Sequence, residues 1–161
     1  MADYRILPIT KEQAEKIITW RYQPPYSVYD LDPADLKVMI NPEYRYHCLL
    51  NPVDELVGYC CYGIDAQVPG GEYSRTEPQV LDVGVGLHPD LTGQGRGKVF
   101  VTAVLKYARK AYQPDRFRVT VADFNQRSMK TFQKLGFEVT AHFLRHPDSL
   151  PFTQLERKAY E

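Results

Sequence analysis

With 161 residues, 43% of them apolar and 25% charged, the chain has the length of a single domain over residues 1–161 and the composition of a globular protein rather than a membrane-embedded one. Lysine plus arginine equals aspartate plus glutamate at 20 each, so no overall field favours nucleic acid or an anionic membrane surface, and any charge recognition is local. Met1 to Thr10 shows no basic stretch leading into an apolar one, and no run approaches the ~20 residues of a membrane-spanning helix, so a cytoplasmic location is expected.

In chain order, Asp3 to Ile9 reads as a short strand with Tyr4, Ile6 and Pro8 on one side. Thr10 predicts a helix start, because Gln13 three residues on completes a capping box; the helix is expected to end near Tyr22, ahead of Pro24-Pro25. Pro25 to Asp30 forms an aromatic loop. Asp32-Pro33, an N-cap with proline at the first helical position, opens a second short helix through Met39 that Asn41-Pro42 ends. Tyr44 to Leu50 and Glu55 to Ile64 read as a strand pair joined by the turn residues of Asn51 to Asp54. Cys48, Cys60 and Cys61 lie inside these strands without CxxC spacing, which points to small buried hydrophobes and not to a metal site. Gln67 to Pro78, with Pro69-Gly70-Gly71 inside it, reads as a mobile loop.

The next strand is the centre of the chain. Leu81, Val83, Val85 and Leu87 alternate with Asp82, Gly84, Gly86 and His88, the period of a strand with one buried face. Glycine weakens a strand interior and marks a bulge or a close approach. After His88-Pro89, Thr92-Gly93-Gln94-Gly95-Arg96-Gly97 turns into Lys98 and a helical pattern that runs through Phe100, Val104, Tyr107 and Ala111 to Tyr112. Strand, glycine turn and helix start form a seat for an anion, with bare backbone amides, a nest and a positive dipole end. A P-loop fails here, since Thr92 stands where its first glycine belongs and Val99 where its hydroxyl belongs. A dinucleotide fingerprint fails at Lys98 or at Phe100.

Arg116 to Asp123 is the following strand. Asn125 caps a helix from Gln126 to Leu135, Gly136 is the expected left-handed residue that ends it, and Phe137 is expected to meet Phe132. Glu138 to Leu144 and Phe152 to Lys158 complete the chain as an antiparallel strand pair.

Leu87-His88-Pro89 followed by Thr92 to Gly97 resembles the V-x-P and Q/R-x-x-G-x-G/A elements of the GNAT family of acyl-CoA-dependent N-acetyltransferases. Asn125 to Ser128 with Thr131 to Phe137 is similar to its N-x-x-A-x-x-L-Y-x-x-x-G-F block. Thr92 departs from Gln/Arg, Ser128 from Ala, Thr131 from Leu and Phe132 from Tyr. The resemblance implies an α/β (α+β) fold in the order β-α-α-β-β-β-α-β-α-β-β, a mixed, mostly antiparallel sheet of about seven strands with helices on both faces.

It also implies acetyl-CoA as cofactor and an acetyl group passed directly to a primary amine, either a small molecule or a peptide N-terminus. Thr92, Gly93, Gln94, Gly95, Arg96, Gly97 and Lys98 would grip the pyrophosphate. Arg96 and Lys98 also read as an ordinary solvated face. Val85 and Leu87 would pair with the pantetheine arm, the backbone N–H near Val85 would be the oxyanion donor, and Asn125, Ser128 and Phe132 would line the cofactor. Phe132 replaces the family's tyrosine acid and cannot donate a proton, although a thiol pKa of about 8.5 makes thiolate a fair leaving group. Asp82 is the first candidate base for the amine, with substrate orientation or an interior salt bridge as alternatives, and Asp123 and His88 behind it. Trp20, Arg21, Tyr22, Tyr26 and Tyr29 fall on the acceptor-covering segment and could enclose a cation; surface and core packing is the alternative. Phe132 and Thr92 also motivate a second reading, an acyl-CoA-binding sensor without catalysis. Exposed terminal strands suggest a homodimer.

Overall fold

A computed structural model describes residues 4–73 and 78–160 of the chain. One seven-stranded sheet runs in the order β1 (Arg5–Pro8), β2 (Tyr46–Leu50), β3 (Leu56–Tyr62), β4 (Val80–Leu87), β5 (Arg116–Ala122), β7 (Pro151–Lys158) and β6 (Glu138–Leu144). Every neighbouring pair is antiparallel except β4 and β5. The parallel join needs a crossover, and α3 (Gly97–Tyr112) supplies it. The expected order of elements and the mixed sheet are what the chain forms.

Helices cover both faces, and the strand alternation decides which. Val83, Val119 and Leu155 point to α3 and α4 (Gln126–Lys134), where Phe100, Val104, Leu105 and Phe132 complete the main core. Each such side chain contributes about 1.5–3 kcal/mol by leaving water. Gly58 is part of this packing: a Cβ there would lie 2.6 Å from Phe100 Cζ. On the opposite face α1 (Lys11–Ile17) and α2 (Leu36–Ile40) set Ala14, Ile17 and Met39 against Tyr46 and Tyr59. No helix among the described residues is long and apolar enough to cross a membrane.

Local signals hold where neighbours in sequence make the contacts. Thr10 accepts from the Gln13 amide at 3.1 Å while the Gln13 side chain accepts from the Thr10 amide at 3.0 Å. Gly136 takes φ +91°, Phe137 N–H donates to the Phe132 carbonyl at 3.0 Å, and the two rings meet edge to face at 5.3 Å. Several boundaries move. The first helix stops at Ile17 instead of Tyr22, because Arg21 Nη1 turns back onto the carbonyls of Ile18, Trp20 and Leu31. The first strand is shorter than Asp3 to Ile9, and Asp3 lies outside the described residues. The segment read as a mobile loop is tied down over residues 67–73: Gln67 bonds Asp82, Tyr73 bonds Thr120, and the Glu72 carbonyl accepts from Gln154. Residues 74–77 of that segment lie outside the described residues.

His47 in β2 is a pH sensor of stability. Its Nδ1 lies 2.9 Å from the Arg45 carbonyl and so carries the proton, which leaves Nε2 to accept from Tyr107 at 3.1 Å. Burial lowers the imidazole pKa below its usual value, so the unfolded chain binds the proton first and stability falls as pH drops below about 6.5. Thermal melts from about pH 7.5 to 5 are expected to show this decline, and His47→Gln to flatten the part of it that comes from this residue.

Candidate active site

The β4 to β5 ladder has only three rungs, Val80 with Arg116, Leu81 with Phe117 and Asp82 with Arg118. Above it β4 stays paired with β3 as far as Leu87, and β5 with β7 as far as Ala122, so the two strands part. Gly63 N–H donates to the Asp82 carbonyl and His88 N–H to the Val57 carbonyl, so the even-numbered residues of β4 direct their backbone groups toward β3. Strand alternation then turns the N–H and C=O of Val83, Val85 and Leu87 toward the opening. Tyr22 confirms that direction, because its hydroxyl donates to the Leu87 carbonyl at 2.7 Å.

The glycine turn lies at the end of this edge. Gly93 and Gly95 both take left-handed φ, +71° and +73°, and no side chain caps the start of α3. Its first amides are therefore open donors at the positive end of a 16-residue helix. Thr92 turns its hydroxyl onto the Pro89 carbonyl at 2.8 Å, Gln94 reaches the Asp90 carbonyl at 2.6 Å, and Arg96 donates to Gln94 at 3.2 Å. Lys98 is exposed. Gly97 gives α4 room, since a Cβ there would stand 3.1 Å from Thr131 Oγ1.

Arg127 is the residue that sequence reading missed. A Cβ on Gly93 would lie 2.5 Å from its Nη1, its guanidinium lies over the Tyr26 ring at 4.1 Å, and its Nε donates to the Tyr26 hydroxyl at 3.0 Å. Its place inside the Asn125 to Ser128 block was the available signal.

The segment between α1 and α2 spans the opening. Tyr22 holds Leu87, while Tyr26 and Tyr29 pack on Phe124 at 5.7 and 5.8 Å. Tyr29 accepts from Asn125 Nδ2 at 3.1 Å, and Asn125 Oδ1 caps α4 by accepting from the Ser128 amide at 3.2 Å. Trp20 stands edge-on to His88 at 4.7 Å and near Tyr59 at 6.0 Å. Arg21, expected among the acceptor contacts, is held instead on three carbonyls of its own segment.

Asp82 is held in an ion pair. It is 4% exposed, and Arg118 grips both carboxylate oxygens, Nε to Oδ1 at 2.6 Å and Nη2 to Oδ2 at 3.0 Å, while Gln67 adds a third bond at 3.0 Å. Of the alternatives, the interior salt bridge is what the fold builds; a carboxylate with both oxygens already paired is poorly placed to take a proton. Phe132 is core, 3% exposed against Phe137. The three cysteines are buried, and burial with Asp65 nearby pushes the Cys61 thiol up to about 12, so it is inert as a nucleophile at neutral pH.

These features fit a diphosphate with a strand-like arm: open amides at a glycine turn, a guanidinium against Gly93, and an unpaired strand edge leading away. Solved structures agree on the fold. A GNAT-family acetyltransferase from Bacillus anthracis is 16% identical, with 100% of this chain and 98% of that one covered at a TM-score of 0.75. An aminoglycoside acetyltransferase in complex with coenzyme A is 17% identical, with 97% and 95% covered at 0.75. A variant of spermidine N-acetyltransferase from Vibrio cholerae is 12% identical, with 98% and 94% covered at 0.68. No curated protein sequence is significantly similar. The family model described as the acetyltransferase (GNAT) family matches residues 11–137, and the chain belongs to that family.

Proposed function

We propose that the protein is an acetyl-CoA-dependent N-acetyltransferase acting on a primary amine by direct transfer. One observation supports this above the others: β4 leaves β5 after Asp82, and its unpaired edge runs straight to an uncapped, glycine-rich helix start. Backbone amides from Gly93 to Lys98, with the Arg127 guanidinium, would hold the diphosphate through charge-assisted bonds. The polar groups of Val85 and Leu87 would pair with the arm as an added strand does, and the Val85 N–H would donate to the thioester carbonyl oxygen. Bound acetyl-CoA supplies an acetyl group activated as a thioester. Trp20, Tyr22, Tyr26 and Tyr29 form the acceptor side, whose aromatic surfaces suit a cation. An alkylammonium has a pKa of about 10.4, and with Asp82 fixed on Arg118 the proton leaves through water.

The aminoglycoside and spermidine enzymes among the structural neighbours make small polyamines and aminosugars the first acceptors to try, with peptide N-termini beside them. Calorimetry is expected to show acetyl-CoA binding, and a thiol-release assay turnover with at least one of these classes. Binding without release for any amine would favour the sensor reading, which the buried Phe132 and the Thr92 hydroxyl turned inward support. No affinity for acetyl-CoA would end both readings.

A further inference from the structure

Phe132 leaves the departing sulfur without the tyrosine that the family's second motif carries, and β3 offers another. Tyr59 pairs across the ladder with Gly86, and its ring lies directly over that glycine: a Cβ on Gly86 would overlap ring atoms and lie 2.7 Å from the hydroxyl oxygen. The absent side chain at Gly86 therefore makes a passage for a phenol reaching across β4 from the neighbouring strand. Its hydroxyl forms no hydrogen bond among the described residues. Trp20 at 6.0 Å and Tyr46, stacked at 6.3 Å, fix the ring.

The location follows from the acetyl-transfer reading, on which this inference rests. With the diphosphate at residues 93–98 and the thioester carbonyl at the Val85 N–H, the sulfur falls between them on the glycine-loop side of Val85, alongside Gly86. We propose that the Tyr59 hydroxyl donates a hydrogen bond to the coenzyme's sulfur and stabilises the charge that gathers there as the carbon–sulfur bond breaks.

The step balances without a change in Tyr59. The amine nitrogen bonds the carbonyl carbon, the electron pair of the carbon–sulfur bond goes to sulfur, and the amine's proton goes to water. Burial, with Tyr22, Cys61 and Asp35 nearby, raises the Tyr59 pKa above its usual value, so the phenol keeps its proton and acts as a donor dipole instead of an acid. Tyr22 differs, since its hydroxyl is already given to Leu87.

The test reads binding as well as rate. Free thiol ionises near pH 8.5, so the affinity of the parent protein for coenzyme A, relative to a desulfo analogue, is expected to rise about tenfold or more between about pH 7 and 9.5, because a hydrogen bond to a charged group is worth more than one to a neutral group. Tyr59→Phe is expected to flatten that rise and to lower kcat about tenfold or more with little change in the KM for acetyl-CoA, and adding Phe132→Tyr to restore part of the rate. A parent whose coenzyme A affinity relative to the analogue is flat with pH, or a Tyr59→Phe protein that keeps the rise, overturns the proposal while leaving acetyl transfer standing. Loss of coenzyme A binding by the parent overturns both. If Tyr59→Phe melts far below the parent, the parent's own pH series decides.

Discussion

Gly93→Val is expected to weaken acetyl-CoA binding more than about a hundredfold while the protein stays folded. Two separate effects combine there. A β-branched residue at φ +71° costs about 1–3 kcal/mol of backbone strain, and its Cβ would stand 2.5 Å from Arg127 Nη1, which drives the guanidinium out of the corner. Each charge-assisted bond lost is worth about 1.5–3 kcal/mol, against about 1.4 kcal/mol for each tenfold in affinity. Gly95→Ala separates the two causes. Its φ of +73° carries comparable strain, but a Cβ there meets nothing within 4 Å, so a smaller loss is expected. Calorimetry on both variants measures it, with melting curves as the check on folding; a Gly93→Val protein that binds as the parent does would remove the turn from the site.

Arg118→Met is expected to produce the largest loss of stability of any single change considered, about 3–5 kcal/mol, because it strands Asp82 as a buried charge. For a chain of this size that is a fall in melting temperature of about 6–20 °C. Asp82 keeps only Gln67 in the variant, and Tyr73, whose ring lies 4.8 Å from the guanidinium, loses its partner. Adding Asp82→Asn is expected to recover much of the loss, since the remaining amide is neutral. The pair also separates structure from chemistry. If Asp82 were the base, Asp82→Asn alone would remove the ascending limb of the pH–rate profile; as a buckle it lowers the melting temperature and leaves the shape of that profile in place. A double variant as unstable as Arg118→Met would contradict this account.

What was legible in the sequence is what short stretches of chain decide for themselves. The Thr10 capping box and the Gly136 and Phe137 helix stop depend on residues a few positions apart, and each is found as expected; the strand through Leu81 to Leu87 forms too, but Asp82 is buried along with Leu81 and Val83, so burial does not alternate along it. For Asp82 the sequence left a base, substrate orientation and an interior salt bridge open, because its partner is 36 residues away, and Arg118 meets it only where the parallel ladder brings β5 beside β4. Tyr59 over Gly86 was hidden for the same reason, since a cross-strand pairing sets it. The early end of α1 was unreadable because Ile18 to Tyr22 continue a helical pattern while the Arg21 guanidinium takes up the carbonyls of its own segment.

The three tyrosines of the α1 to α2 segment carry one further consequence. Leu87 belongs to one lip of the opening and Asn125 and Arg127 to the other, and the hydroxyls of Tyr22, Tyr29 and Tyr26 rivet a single stretch of chain to both. Any guest that needs that carbonyl, amide or guanidinium competes with a phenol for it, so entry on the coenzyme side unfastens the roof on the acceptor side. Occupancy of the two sides is linked in free energy, and each guest must change the affinity for the other by the same factor.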